Sequence, residues 1–206
     1  MPTPTKSPLR NTVRAPKRAS RSTRAPHVWK FGGASLADAS AVQAAAARIA
    51  DHDGPLVVVA SALAGVTDLL LLGAEHALQG RARESAATAV ALWQQHRRVA
   101  ESVLPRGPAR RAALAEIEAS IGDYADICTA VGILGDLAPR TRDLLVARGE
   151  RLAAMLLASA VTRAGRRAQL VDAIDFVTTD GHFGGASPLI AESAATARKT
   201  LQPLLR

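Results

Sequence analysis

A lysine that ends a short apolar run and is followed at once by two glycines and a hydroxyl is a combination suited to phosphate. It occurs here as Lys30-Phe31-Gly32-Gly33-Ala34-Ser35. Glycines let backbone N–H groups converge on one concavity where a strand gives way to a helix. Lys30 would add a mobile positive charge for bridging or terminal phosphate oxygens, where charge builds during phosphoryl transfer. The same residues also make a plain tight turn. They are not a Walker A loop, because the spacing and the Gly-Lys-Ser/Thr ending are missing. A second constellation, Ser61-Ala62-Leu63-Ala64-Gly65-Val66-Thr67-Asp68, again leaves an apolar run and enters a helix. Ser61 and Thr67 offer hydroxyls and Gly65 permits close backbone approach; the plainer alternative is a small-residue turn with Thr67 as a helix cap. If the two preceding strands are parallel neighbours, both turns open at the carboxyl edge of the sheet, where α/β proteins bind ligands.

Two further segments carry polar groups in unexpected company. Arg148-Gly149-Glu150-Arg151 interrupts a Leu- and Ala-rich helical stretch. A glycine inside a helix costs about 1 kcal/mol against alanine, so a ligand or another helix passing close by is a motive for it. Glu150 would then accept a substrate ammonium, or else pair with an adjacent arginine. Thr178-Thr179-Asp180-Gly181-His182-Phe183-Gly184-Gly185-Ala186 is a polar, glycine-rich loop of the kind that closes over a site. His182 has no His or Cys at metal-ligand spacing and reads as a solvent-facing loop histidine, and Cys128 as a small core residue.

Short β-like runs alternating with Ala/Leu-rich helices position these segments, which is the pattern of an α/β layer fold. Strands are expected at His27–Phe31, Leu56–Ala60 and Ala168–Val171, with Phe176–Thr179 extended. Helices are expected at Leu36–Ala50, Val66–Leu78, about Pro139–Ala164 and Pro188–Leu201. From about Glu84 to Val131 the chain is helical and breaks at Pro105-Arg106-Gly107-Pro108, which predicts an αα-hairpin. Leu114, Ile117, Ile121 and Tyr124 recur at helical spacing on its second arm and must pack on something.

Composition bounds the rest. The 206 residues, 48% hydrophobic and 21% charged, suffice for one ordinary domain. Six aromatic residues leave the core to Ala, Leu, Val and Ile, which disfavours a large β-sandwich. One cysteine excludes a disulfide framework and a Cys-rich zinc site and fits a reducing compartment. No apolar run reaches the roughly 18–20 residues of a membrane span, so a soluble, cytoplasmic protein is expected. The net charge of +8 is local to one end. Lys6, Arg10, Arg14, Lys17, Arg18, Arg21 and Arg24 fall in residues 1–26 without any acid, while all 18 acidic residues lie beyond. This Pro-, Ser- and Arg-rich tail reads as disordered. A nucleic-acid arm or a transit peptide are its functional alternatives, but without aromatic residues to stack on bases, nucleic acid is not the expected partner.

Taken in order, the four segments resemble aspartate kinases of the amino-acid kinase family, specifically their amino-terminal part. Lys30–Ser35 is similar to the family's Lys-Phe-Gly-Gly-Thr-Ser opening, and Ser61–Asp68 to its Ser-Ala-x-x-Gly-Val-Thr-Asp/Asn turn. Gly149-Glu150 is similar to its Gly-Glu helix, and Val177–Ala186 to its Thr-Asp-x-x-Phe-Gly-x-Ala loop. The resemblance implies a three-layer parallel-sheet α/β fold carrying a helical-hairpin insertion. It also implies ATP- and Mg²⁺-dependent phosphorylation of the side-chain carboxylate of L-aspartate, at the head of lysine, threonine and methionine synthesis. Lys30, as the catalytic cation, would hold ATP phosphates together with Gly32, Gly33 and Ser35. Ser61 and Thr67 would face the amino acid, and Glu150 would grip its ammonium.

Two departures accompany the resemblance. Ala34 replaces the family's threonine, leaving Ser35 to supply a hydroxyl. The family's later Gly-Arg-Gly-Gly-Ser-Asp motif does not follow, so residues 27–206 are expected to be the amino-terminal part of a kinase domain, truncated before its carboxy-terminal half. The helices at Arg142–Ala164 and Pro188–Leu201 would then keep partly bare apolar faces, and a homo-oligomer or complementing subunit would supply the opposite wall. A non-catalytic kinase-like module that binds a partner subunit or amino acid, and a scaffold for a nucleic-acid-binding arm, are the competing readings.

Overall fold

The computed structural model describes residues 25–205, so nearly all of the basic tail read from residues 1–26 lies outside the described residues. Strands β1 (His27–Phe31) and β2 (Leu56–Ala60) pair in parallel, in register from His27 opposite Leu56 to Phe31 opposite Ala60. Parallel neighbours need a crossover, and helix α1 (Ala39–Ala50) provides it. Along β1 the side chains alternate: Trp29 and Phe31 pack on the core, while Val28 and Lys30 face outward. Val42, Ala45, Ala46 and Ile49 bury one stripe of α1. Arg166 closes the turn into β2 by donating to the carbonyls of Ile49, His52 and Gly54.

Helix α2 (Val66–Leu78) leads into the hairpin of α3 (Ala82–Val103) and α4 (Pro108–Leu134). Arg110 fastens the hairpin bend, donating to Leu104 O at 2.8 Å and Glu101 O at 2.7 Å, carbonyls that the end of α3 leaves without helical partners. Ile117, Ile121 and Tyr124 are buried as their spacing predicts, with Leu114 partly so. The Tyr124 hydroxyl donates to Leu70 O at 3.0 Å, and burial pushes its pKa well above the ordinary tyrosine value.

Helix α5 (Pro139–Arg163) runs through the middle of the molecule, against α1, α2, α3 and α4. It buries Leu145, Leu152, Leu156 and Leu157, each contributing about 1.5–3 kcal/mol of transfer free energy. Most of the face expected to be bare on this helix is therefore covered, although Leu144 stays 53% exposed. Helix α6 (Ile190–Leu201) does match that expectation: none of its residues is buried, and Ile190 is 71% exposed.

Three boundaries differ from the sequence reading. Ala168–Val171 is not a strand: among the described residues the sheet consists of β1 and β2 alone, so this segment has no hydrogen-bond ladder, and Ala168 packs on the core. The stretch read as one helix from Leu36 is a short 3₁₀ turn, Gly33–Leu36, followed by α1, whose start is fixed by Asp38 accepting the Ala41 N–H at 2.9 Å. Pro188 lies outside α6 because it forms an antiparallel bridge with Thr179. No helix among the described residues is long and apolar enough to cross a membrane.

Candidate functional site

The register of the two strands brings their following turns together. Ser61 N–H donates to Phe31 O at 2.9 Å, which prolongs the ladder past the ends of the strands. Lys30, on the outward face, turns its ammonium onto Ser61 and donates to Oγ at 2.7 Å. The Gly32-Gly33 turn lies against the second turn: a Cβ on Gly33 would stand 3.6 Å from Ala62 O and 3.8 Å from Ala64 Cα. The turn after β1 and the turn after β2 therefore form one surface at the carboxyl edge of the sheet.

Neither glycine of the first turn is demanded by its backbone. Gly32 is extended, and neither it nor Gly33 has a positive φ. A side chain on Gly32 would begin 3.7 Å from Lys30 Nζ. What the glycine preserves is open space beside an ammonium that has no carboxylate within ion-pair distance among the described residues. Ser35 N–H closes the turn onto Gly32 O at 2.9 Å, and its hydroxyl makes no hydrogen bond among the described residues. Because α1 begins only at Ala39, the backbone of this tight turn, and no α-helix terminus, faces the space.

In the second turn Gly65 has φ +74°, a left-handed conformation that a side chain would strain. It occupies the position before the first residue of α2, with no side-chain cap. Thr67 is thus not the cap. It is the second residue of the helix, exposed, and its hydroxyl is not engaged. Gln95 on α3 steadies the turn by donating to Ala64 O at 2.9 Å.

Gly149 explains how α5 reaches this surface. A Cβ there would lie 2.8 Å from Val66 Cγ1, 3.0 Å from Ala62 Cβ and 3.2 Å from Leu70 Cδ1, so the helix passes in direct contact over the second turn. The next residue, Glu150, lines a cavity of about 220 Å³ with Thr67, Asp143, Val146 and Ala147. Its flanking arginines are engaged elsewhere, Arg148 with Asp123 at 3.5 Å and Arg151 with Asp172 at 3.0 Å and Glu116 at 3.5 Å. Glu150 itself makes no ion pair among the described residues, contrary to the reading in which a neighbouring arginine satisfies it. Lys30, Gly32, Gly33, Ser35 and Ser61 do not line this cavity. The two groups are joined through the Ala62–Val66 backbone and Gly149, so the site has a cationic end at the sheet and an anionic end on α5.

The glycine-rich loop is held shut by Asp180, whose Oδ1 accepts the N–H groups of His182 and Ser187, both at 3.1 Å. Those bonds, the one from His182 foremost, hold its carboxyl below the ordinary aspartate value. His182 is 81% exposed at its side chain and pairs with Asp180 at 3.2 Å. Asp143, which the sequence reading did not single out, accepts the Gly184 N–H at 2.8 Å. Its one sequence signal is its place seven residues before Glu150, on the same face of the helix.

Residues 27–204 match the model of the amino acid kinase family. The lysine-sensitive aspartokinase 3 of Escherichia coli is 30% identical over 178 residues, covering 86% of this chain and 38% of the relative. The chloroplastic aspartokinase 3 of Arabidopsis thaliana is 30% identical over 177 residues, 84% of this chain and 31% of the relative. The crystal structure of E. coli aspartokinase III in complex with aspartate and ADP superposes with a TM-score of 0.76 at 29% identity, covering 88% of this chain and 38% of that one. The chain thus spans well under half the length of the relatives it matches.

Proposed function

The chain belongs to the amino acid kinase family, and from that premise we propose that it carries the aspartate-kinase reaction, ATP-dependent phosphorylation of the side-chain carboxylate of L-aspartate to 4-phospho-L-aspartate. The observation that carries the reading is the 2.7 Å hydrogen bond from Lys30 to Ser61, which unites the two turns at the carboxyl edge of parallel strands. The aspartate and ADP of the matching E. coli complex are chemically of the kind these two ends would take.

ATP supplies the phosphoryl group, and the residues present suit its phosphates: the space beside Lys30 Nζ is one that a Cβ on Gly32 would fill. Lys30 neutralises phosphate charge there, with the Gly32-Gly33 backbone and the Ser35 hydroxyl as neighbouring donors. Ser61 fixes the direction of the lysine. Mg²⁺ would enter on the nucleotide's phosphates, as magnesium commonly does. Glu150 accepts the ammonium of aspartate while Thr67 hydrogen-bonds it in the cavity. Positioning two anions in line and screening their repulsion is most of what phosphoryl transfer asks of a protein.

Hydroxylamine trapping tests this. With ATP, Mg²⁺ and L-aspartate the folded chain forms aspartyl hydroxamate, and Lys30→Ala abolishes it. Absence of hydroxamate at high concentrations of folded protein overturns the reaction and leaves a binding module.

A further inference from the structure

We propose that Asp143 is a positioning residue: its carboxylate, which itself lines the Thr67–Glu150 cavity, latches the glycine-rich loop, residues 180–187, onto the first turns of α5, and the latch in turn fixes where that carboxylate stands. Its consequence for aspartate binding rests on the function proposed above, whereas the latch itself does not.

The loop is built as a unit before it meets α5. Asp180 collects two backbone N–H groups within it, the Thr179–Pro188 bridge closes its neck, and Ser193 of α6 ties the neck by accepting the Thr178 N–H at 2.9 Å and donating to Thr178 O at 3.1 Å. Such a unit can dock or swing as a body. Its contacts with α5 fall in that helix's first turns. Asp143 Oδ2 accepts the Gly184 N–H at 2.8 Å, a bond strengthened by the charge of the acceptor. The Arg140 guanidinium lies 5.6 Å from the centre of the Phe183 ring. Pro139 Cβ stands 3.9 Å from where a side chain on Gly184 would begin. Gly184 has φ +83°, so only a residue without Cβ presents its N–H to the helix in this way without strain. Asp143 also lines the cavity that Glu150 lines two helical turns further on. One carboxylate therefore both borders the cavity and sets the loop's distance from it, while the distant Glu150 stays free for a ligand.

A residue that acts by holding a lining carboxylate and the loop bonded to it in place changes how tightly a ligand is held more than how fast it reacts. Amide hydrogen exchange on the full chain reads the latch directly. In the unaltered protein the Gly184 N–H is protected. Asp143→Ala speeds its exchange about tenfold or more while amides of α4 and α5 keep theirs, and Asp143→Asn, whose side-chain oxygen still accepts, restores part of the protection. In parallel, Asp143→Ala weakens L-aspartate binding, read by NMR titration, about tenfold, with Asp143→Asn between, and raises KM with kcat within about twofold. Should Asp143→Ala unfold, Asp143→Asn alone decides by the same exchange measurement. Unchanged Gly184 exchange in a folded variant overturns the latch, even where aspartate binds. Failure of the unaltered chain to bind aspartate overturns the proposed function, and the exchange result still decides the latch.

Discussion

Replacing Gly149 by alanine sets two well-separated effects against each other. In an isolated helix the change is worth about 1 kcal/mol in favour of folding, because glycine has more backbone freedom to lose. Here the new methyl would sit 2.8, 3.0 and 3.2 Å from carbons of Val66, Ala62 and Leu70, against an optimum of about 3.5–4.0 Å. Val66 and Leu70 are 0% and 1% exposed, so neither has empty space to turn into, and Ala62 has no rotamer to change. Relief must come from moving α5 away from the Ala62–Val66 turn. Overpacking of this kind costs about 1–3 kcal/mol, so the helix gain is offset and the variant is less stable by about 1 kcal/mol. Urea unfolding followed by the fluorescence of Trp29 and Trp93 measures this, and the amide shifts of Ser61–Thr67 report the displaced turn. Val66→Ala in the same chain removes the tightest contact, so the double variant recovers about 1 kcal/mol of coupling. A Gly149→Ala protein stabilised by about 1 kcal/mol, with the Ser61–Thr67 shifts unmoved, would refute the claim that α5 is seated directly on that turn.

Other consequences follow from buried and hydrogen-bonded groups. His96 is fully buried, with Nδ1 on Leu92 O at 2.8 Å and Nε2 without a partner among the described residues. Burial lowers its pKa, so below pH about 6.5 the unfolded chain takes up the proton first and stability falls with pH, by at most about 1.4 kcal/mol per unit. Thermal unfolding between pH 7 and 5 should show that decline, flattened in His96→Leu. The Asp180 carboxyl is held low by its loop bonds, so the ordering it gives is full above the ordinary aspartate value and fades only as pH falls below that value through the depressed one. Amide shifts of His182 and Ser187 should follow that titration and be displaced at neutral pH in Asp180→Asn. Gly73→Ala would place a methyl 2.1 Å from the Tyr124 hydroxyl and 3.1 Å from Thr88 Cβ, breaking the bond to Leu70 O at a cost of about 2–3 kcal/mol in urea unfolding.

Much of the frame was legible because its signals are local. His27–Phe31, Leu56–Ala60 and Val66–Leu78 carry apolar runs bounded by Gly, Pro or a polar residue, and the structure begins and ends them at those residues. The hairpin showed through Pro105 to Pro108 for the same reason. Leu36 misled because an apolar residue at helical spacing cannot reveal that a 3₁₀ turn precedes the true cap, Asp38. Ala168–Val171 has strand-like residues, but a strand exists only with a neighbour, which is a long-range property. At the site, Lys30, Ser61, Thr67 and Glu150 stood out by type and setting. The placement of Asp143 depends on where a loop some 40 positions later docks, and nothing in its own surroundings announces that. Gly149 stood out as a glycine within a helix, and its partner proved to be the Ala62–Val66 turn.

The proposed reaction requires the Lys30–Ser61 end and the Thr67–Glu150 end to belong to a single site, and backbone NMR titration with Mg²⁺-ADP and L-aspartate probes that most directly. The nucleotide should shift the amides of Gly32, Gly33, Ala34 and Ser61, the amino acid those around Thr67 and Glu150, and Lys30→Ala should abolish only the first set. Perturbations centred instead on the groove between Gln43 and Arg163, or no response to either compound, would contradict it.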